Sequence, residues 1–222
     1  MPHIACLHTA QSNVAVFDAA LRDLGLAEVT LRHAVRPDLL AEAERAHGLT
    51  PEITAWTQDA LRALCDGSNA VLLTCSTLGP AVAAMAAAPC PVLRADAALA
   101  AEAVREGGRV VVLCAVETTI VPTRLVFEDA ARRTGATVTL RLVPGAWDAF
   151  RAGQTERYLT IIARAAEAAC QQGATRVALA QASMAGAAPL ARTDPPPLSS
   201  PAAGLRAAVA ATASGSARAD AP

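Results

Sequence analysis

A chain of 222 residues can bury a sizeable core without disulfides or metals, as one domain or as two coupled lobes. Its 19 basic and 20 acidic side chains nearly cancel, which excludes the broad cationic field that nucleic acid or an anionic membrane would attract. Every basic side chain is Arg, so a Schiff base or pyridoxal anchor on a lysine is excluded too.

The opening Met1-Pro2-His3-Ile4-Ala5-Cys6 carries no basic leader with an apolar segment and cleavage site, so the expected location is cytoplasmic. Charged residues interrupt the Ala-rich stretches before they reach the roughly 18 to 20 residues that span a bilayer, and no membrane segment is expected. Short β-rich runs then alternate with helical patterns. Strands are predicted at His3 to Thr9, Glu28 to Val35, Ala70 to Thr74, Val92 to Ala95, Arg109 to Ala115, Thr137 to Val143 and Arg176 to Ala180. Helices fill the gaps: one capped by Ser12-Asn13, one or two between Pro37 and Asp66 around Thr50-Pro51, and others at Ala100 to Glu106, Pro122 to Thr134 and Thr155 to Gln172. Gly25, Gly67, Gly107, Gly135 and Gly173 stand where these helices should stop. Six cysteines (6, 65, 75, 90, 114, 170) are scattered without a CxxC pair, which argues for free thiols over a disulfide framework or zinc site.

An internal repeat organises the chain. A shift of 106 lays Ile4-Ala5-Cys6-Leu7-His8-Thr9 on Val110-Val111-Val112-Leu113-Cys114-Ala115, and Ala70 to Leu78 on Arg176 to Met184. Between them, a shift of 109 lays Val29-Thr30-Leu31-Arg32 on the identical Val138-Thr139-Leu140-Arg141. The predicted fold is α/β: two similar lobes, each a mostly parallel sheet flanked by helices, related by pseudo-twofold internal duplication. The first lobe is placed at 1–95, the second at 96–190, a return segment closing the fold at 191–212, and a disordered Ser/Ala/Gly/Pro tail at 213–222.

In parallel α/β sheets, ligands collect beyond the carboxyl ends of the strands. Cys75 falls at such an end, followed by Ser76 and Thr77 and by Leu78-Gly79-Pro80 opening a helix. A thiol, two hydroxyls and free amides on one turn suit a carboxylate ligand, and a helix N-terminus raises the thiolate fraction. Cys6 and Cys114 lie in apolar strands, Cys65 and Cys170 on helices, and Cys90 between prolines, where packing explains them. His8 and Thr9 end the first strand with Ser12 and Asn13 close behind, able to face the same ligand or to serve as caps and satisfied core groups. His33 in a strand and His47 on a helix face are assigned to solvent or core contacts, and without paired ligand spacing no metal site is expected.

Thr74-Cys75-Ser76-Thr77-Leu78-Gly79 resembles the first catalytic-cysteine loop of the aspartate/glutamate/hydantoin racemase superfamily, a resemblance that spans roughly residues 3 to 210. Arg32-His33 followed by Asp38-Leu39-Leu40, the strand Val110 to Cys114 running into Thr118-Thr119, and Ser199 to Gly204 before the last helix resemble it more weakly. The resemblance implies a cofactor-independent isomerase in which each lobe offers one cysteine to opposite sides of a substrate α-carbon. It implies a small carboxylate substrate, and it is compatible with a homodimer or larger assembly. Gln181 holds the second cysteine's place, at 75 + 106, and an amide neither gives nor takes a proton at a useful pKa. The residues expected at the site are Cys75 as the catalytic thiol, with Thr9, Ser12, Asn13, Ser76, Thr77, Thr118, Thr119, Gln181 and Ser183 as substrate contacts. Two classes of function follow. One is an enzyme acting at the α-carbon of a small carboxylate, as a racemase or as a one-sided decarboxylase or isomerase. The other is a carboxylate-binding protein without turnover.

Overall fold

The computed structural model describes residues 1–85 and 88–219, and they fall into two compact units: 1–96 joined by the segment from Pro201, and 97–200. In the first unit, β1 (His3–His8), β2 (Thr30–Val35), β3 (Ala70–Leu73) and β4 (Val92–Arg94) form one sheet in the order β2-β1-β3-β4, every pair parallel. The intervening helices are α1 (Ser12–Asp23), α2 (Pro37–Arg45), α3 (Pro51–Cys65) and α4 (Pro80–Ala83). After α5 (Ala95–Val104), the second unit repeats the sheet with β5 (Arg109–Cys114), β6 (Thr137–Leu142), β7 (Arg176–Leu179) and β8 (Leu198–Ser199), in the order β6-β5-β7-β8. Its helices are α6 (Ile120–Ala131), α7 (Ala146–Arg151) and α8 (Thr155–Gln171), and α9 (Ser200–Ala219) leads out of it into the first unit. Among the described residues, no helix is long and apolar enough to cross a membrane.

The two-residue period of the strands sorts the first unit's core. Ala5 and Leu7 of β1, with Val71 and Leu73 of β3, face Leu39 and Ala43 of α2 and Ile53 and Leu61 of α3. In the second unit Val111, Leu113, Val177 and Leu179 meet Tyr158, Ile162, Ala166 and Ala169 of α8. Helix α3 begins where the sequence marks it, since Thr50 Oγ1 accepts from Ile53 N–H at 3.3 Å and Pro51 supplies a first-turn φ without wasting a donor.

The repeat is real, but its register is finer than the sequence match suggested. Ile4 pairs with Ala70 and Val110 with Arg176, so 106 holds for the inner strands. His3, however, pairs with Thr30 and Arg109 with Thr137, an offset of 137 − 30 = 107 for the outer strand, not 109. The two offsets differ by two residues, which preserves the in-out alternation; the identical Val-Thr-Leu-Arg strings therefore share a face pattern without being equivalent positions.

Other expectations need correction. Cys65, the last residue of α3, and Cys90, just before β4, form a disulfide with their Cα atoms 5.5 Å apart, a contact that sequence spacing could not show. The cap of α1 falls on Gln11, with no side-chain hydrogen bond, and Ser12 and Asn13 sit inside the first turn. Helix α5 starts at Ala95, five residues early, directly on the end of β4. His47 lies past the end of α2 at φ 56° and not on a helix face. The proposed 191–212 segment is split, its first part closing the second unit through β8 and the rest joining the first. Helix α9 continues to Ala219 through most of the tail expected to lack order, as an Ala-rich stretch permits, while residues 220–222 lie outside the described residues. Gly204 is needed where α9 crosses the sheet: a Cβ there would meet Leu72 Cδ2 at 3.0 Å and Ala95 Cβ at 3.1 Å.

Candidate active site

Strand β3 ends at Leu73 and Cys75 follows two residues later, half-buried, with Ser76 and Thr77 also half-buried on the same turn. The turn closes through Gly79 N–H donating to the Ser76 carbonyl at 3.1 Å, while Leu78 is buried and anchors it to the core. The expected helix does begin at Pro80, but α4 is a single turn, too short to add much dipole to its own terminal amides. Arg94, at the end of β4, lays its guanidinium against Gly79, where any Cβ would collide with it. Asp96 holds that guanidinium through two hydrogen bonds of 3.0 and 2.6 Å, with both side chains mostly buried. Sequence reasoning missed Arg94; its signal was an Arg two residues before an Asp at a strand end.

Thr74, just before Cys75, begins a chain of polar contacts beneath the turn. Its Oγ1 lies 3.0 Å from the Leu7 carbonyl and 2.9 Å from His8 Nδ1. His8 Nε2 lies 2.8 Å from His33 Nδ1, and His33 Nε2 lies 3.1 Å from Asp18 Oδ1. His8 is fully buried against Phe17, with ring centroids 5.1 Å apart, so of the two roles the sequence left open it takes that of a satisfied core group. Burial first, and then the facing His33, push its pKa down to about 4 against the opposing pull of Asp18. Cys6, on the same sheet face, is buried and its thiol is pushed up to about 12, by burial and then by Asp18. Cys6, His8 and His33 bring their ligand atoms within 4.8 Å of one another, a grouping that sequence spacing could not show.

In the second unit Gln181 follows β7 as Cys75 follows β3. Its Oε1 accepts from Ala115 N–H at 2.7 Å and its Nε2 donates to Thr119 Oγ1 at 2.9 Å, while Thr119 donates to the Val116 carbonyl at 2.6 Å. Gln181 is therefore engaged with the segment that follows β5, and Thr119 with Gln181 and its own loop, while Thr118 is exposed beside them. Thr119 stands at the N-cap of α6 without a side-chain capping bond. Ser183 Oγ sits 2.9 Å from the hydroxyl of buried Tyr158. Burial raises the Cys114 thiol, opposed by Gln181, Thr119 and Thr123, and burial raises Cys170. The internal offset makes Thr9 the counterpart of Ala115. Thr9 is buried, and among the described residues its N–H meets no protein acceptor. Asn13, the counterpart of Thr119, is half-exposed, and Ser12 is exposed.

A duplicated parallel α/β fold of this kind is shared with solved racemase structures. The Asp/Glu/Hydantoin racemase family model matches residues 6–208, and the chain belongs to that family. Solved structures share its fold: allantoin racemase from Klebsiella pneumoniae at TM-score 0.68 and 15% identity, covering 97% of this chain and 89% of that one. Aspartate racemase from Picrophilus torridus is similar at TM-score 0.69 and 13% identity, over 96% and 95% of the two chains. A glutamate racemase from Bacillus anthracis follows at TM-score 0.62 and 13% identity, over 93% and 79%. No curated protein matches the chain in sequence.

Proposed function

We propose that this racemase-family enzyme acts without a cofactor at the α-carbon of a small carboxylate, with Cys75 as the group that takes the α-proton. The observation that carries the reading is the contrast between two equivalent positions. Cys75 is half-buried at its strand end, whereas Gln181 is held by Ala115 and Thr119. Gln181 stands where the family's second cysteine is expected, and the amide cannot exchange a proton with substrate.

In the step proposed, the Cys75 thiolate removes the Cα proton and becomes a thiol, and the electron pair left on carbon delocalises onto the carboxylate oxygens. Donors aimed at those oxygens stabilise that charge. The Thr9 N–H is suited to this because Thr9 is a buried residue whose N–H meets no acceptor among the described residues, and Ser76 and Thr77 carry hydroxyls on the Cys75 turn. Return of the proton by the same thiol restores the original configuration; inversion needs a donor on the opposite face.

The test is α-proton exchange in D₂O, followed by proton NMR over a panel of α-amino dicarboxylates, hydantoins and related carboxylates, with chirality read in parallel. Exchange faster than inversion is expected, with a loss of at least about 100-fold in Cys75→Ala. Exchange that persists unchanged in Cys75→Ala overturns the assignment.

A further inference from the structure

We propose that Cys6 Sγ, His8 Nε2 and His33 Nδ1 form a binding site for a borderline-soft divalent cation of the zinc type. The fold itself assembles the donors. Cys6 and His33 are register partners on adjacent strands, and His8 follows Cys6 by two, so all three side chains leave the same face of the sheet. Their ligand atoms lie within 4.8 Å of one another, and the two imidazole nitrogens are 2.8 Å apart. Tetrahedral zinc ligation needs about 3.3 Å between two nitrogens and about 3.6 Å between sulfur and nitrogen. The rings therefore need to part by only about half an ångström to admit the ion. One thiolate with two imidazoles selects zinc or cobalt over magnesium or calcium, which take oxygen donors.

The outer nitrogens strengthen the assignment. Asp18 Oδ1 lies 3.1 Å from His33 Nε2, the arrangement in which a carboxylate orients a metal-bound imidazole. Thr74 Oγ1 lies 2.9 Å from His8 Nδ1 and 3.0 Å from the Leu7 carbonyl. When the Thr74 hydroxyl donates to Leu7, it accepts from His8 Nδ1–H; with Asp18 accepting from His33 Nε2–H, both inner nitrogens then present lone pairs to each other. That state is satisfied by a positive charge between them, a metal ion or a shared proton. When Thr74 turns its hydrogen to His8 Nδ1, His8 Nε2–H donates to His33 Nδ1 and the chain is satisfied without an ion. One hydroxyl rotation separates the two states, and it occurs at the residue next to Cys75.

Cobalt titration of the full-length, chelator-stripped protein tests the site, since tetrahedral cobalt gives intense visible bands and a cobalt–thiolate bond a near-ultraviolet charge-transfer band. One cobalt per chain with both signatures is expected. Cys6→Ala should lose the charge-transfer band and His33→Ala the stoichiometric binding, with folding checked by circular dichroism. Asp18→Asn keeps every ligand and disturbs only a partly exposed partner, and it should weaken binding about 10- to 100-fold. Cys75→Ala should leave the spectrum unchanged. Absence of stoichiometric binding, bands that survive His33→Ala, or bands lost in Cys75→Ala overturns the proposal. The readout is spectroscopic and independent of α-carbon chemistry, so its failure is distinct from failure of the Cys75 mechanism.

Discussion

Both ends of the Gln181 amide are engaged inside its own unit, and this makes the residue a structural bracket as well as a poor acid or base. Removing it in Gln181→Ala leaves the buried Ala115 N–H without its acceptor, and an unsatisfied buried donor costs about 1–3 kcal/mol. Urea unfolding should register that loss. His8 yields a pH prediction in chelator-treated protein. Its pKa lies near 4 in the folded chain against 6.5 as the ordinary value. The unfolded chain therefore takes up the proton first, and stability present above pH 6.5 is lost as the pH falls toward 4, by up to about 3 kcal/mol. His8→Gln should flatten that slope in urea midpoints measured between pH 7.5 and about 4.5. Gln181 was legible in the sequence because the internal shift sets it against Cys75. The Thr9 N–H was not, because a backbone donor that meets no acceptor among the described residues has no sequence signature and emerges only once its neighbours are placed.

At the scale of elements, the turn from Thr74 to Gly79 depends on the end of β4. The Arg94 guanidinium occupies the space a Cβ at Gly79 would take, and Asp96 prevents it from swinging away freely. Gly79→Ala should destabilise by about 1–3 kcal/mol, the range for overpacking. In an Arg94→Ala background the same substitution should cost clearly less, and additivity of the two in a double-mutant cycle would count against the contact. The disulfide links α3 to the approach to β4, closing a separation of 25 residues. A cross-link of that span stabilises by about 3 kcal/mol, so reductant or the paired Cys65→Ser/Cys90→Ser change should lower the urea midpoint, with non-reducing peptide mapping to identify the bond. Alternation of apolar residues placed seven of the eight strands among the described residues, but it overlooked β8, only two residues long and preceded by a proline run. It also overlooked α7, whose start depends on the left-handed Gly145 rather than on a polar cap.

The whole molecule repeats one design, and strand order makes this plainer than residue identity does: β2-β1-β3-β4 and β6-β5-β7-β8 are the same topology. The sequence disclosed the duplication through the inner strands, where burial on both faces restricts residue choice and the offset of 106 survives. It misplaced the outer strands by two residues, because alternation fixes the face and leaves the register along it open. The same limit hid the Cys6, His8 and His33 grouping, which exists only once β1 and β2 are paired in register. Duplication also supplies the last prediction. A two-thiol reaction needs one proton acceptor and one donor, and this family member carries a thiol after β3 and an amide at the equivalent place after β7. Gln181→Cys puts a titratable group where the repeat calls for one, at the cost of the Ala115 hydrogen bond. On a substrate whose α-proton the protein already exchanges, inversion should rise by at least about tenfold while α-proton exchange changes little, because in the proposed step first removal of the proton still belongs to Cys75. Chirality and deuterium content measured on the same samples separate the two rates. A folded Gln181→Cys variant that exchanges but gains no inversion would show that the place after β7 does not reach the second face of the α-carbon.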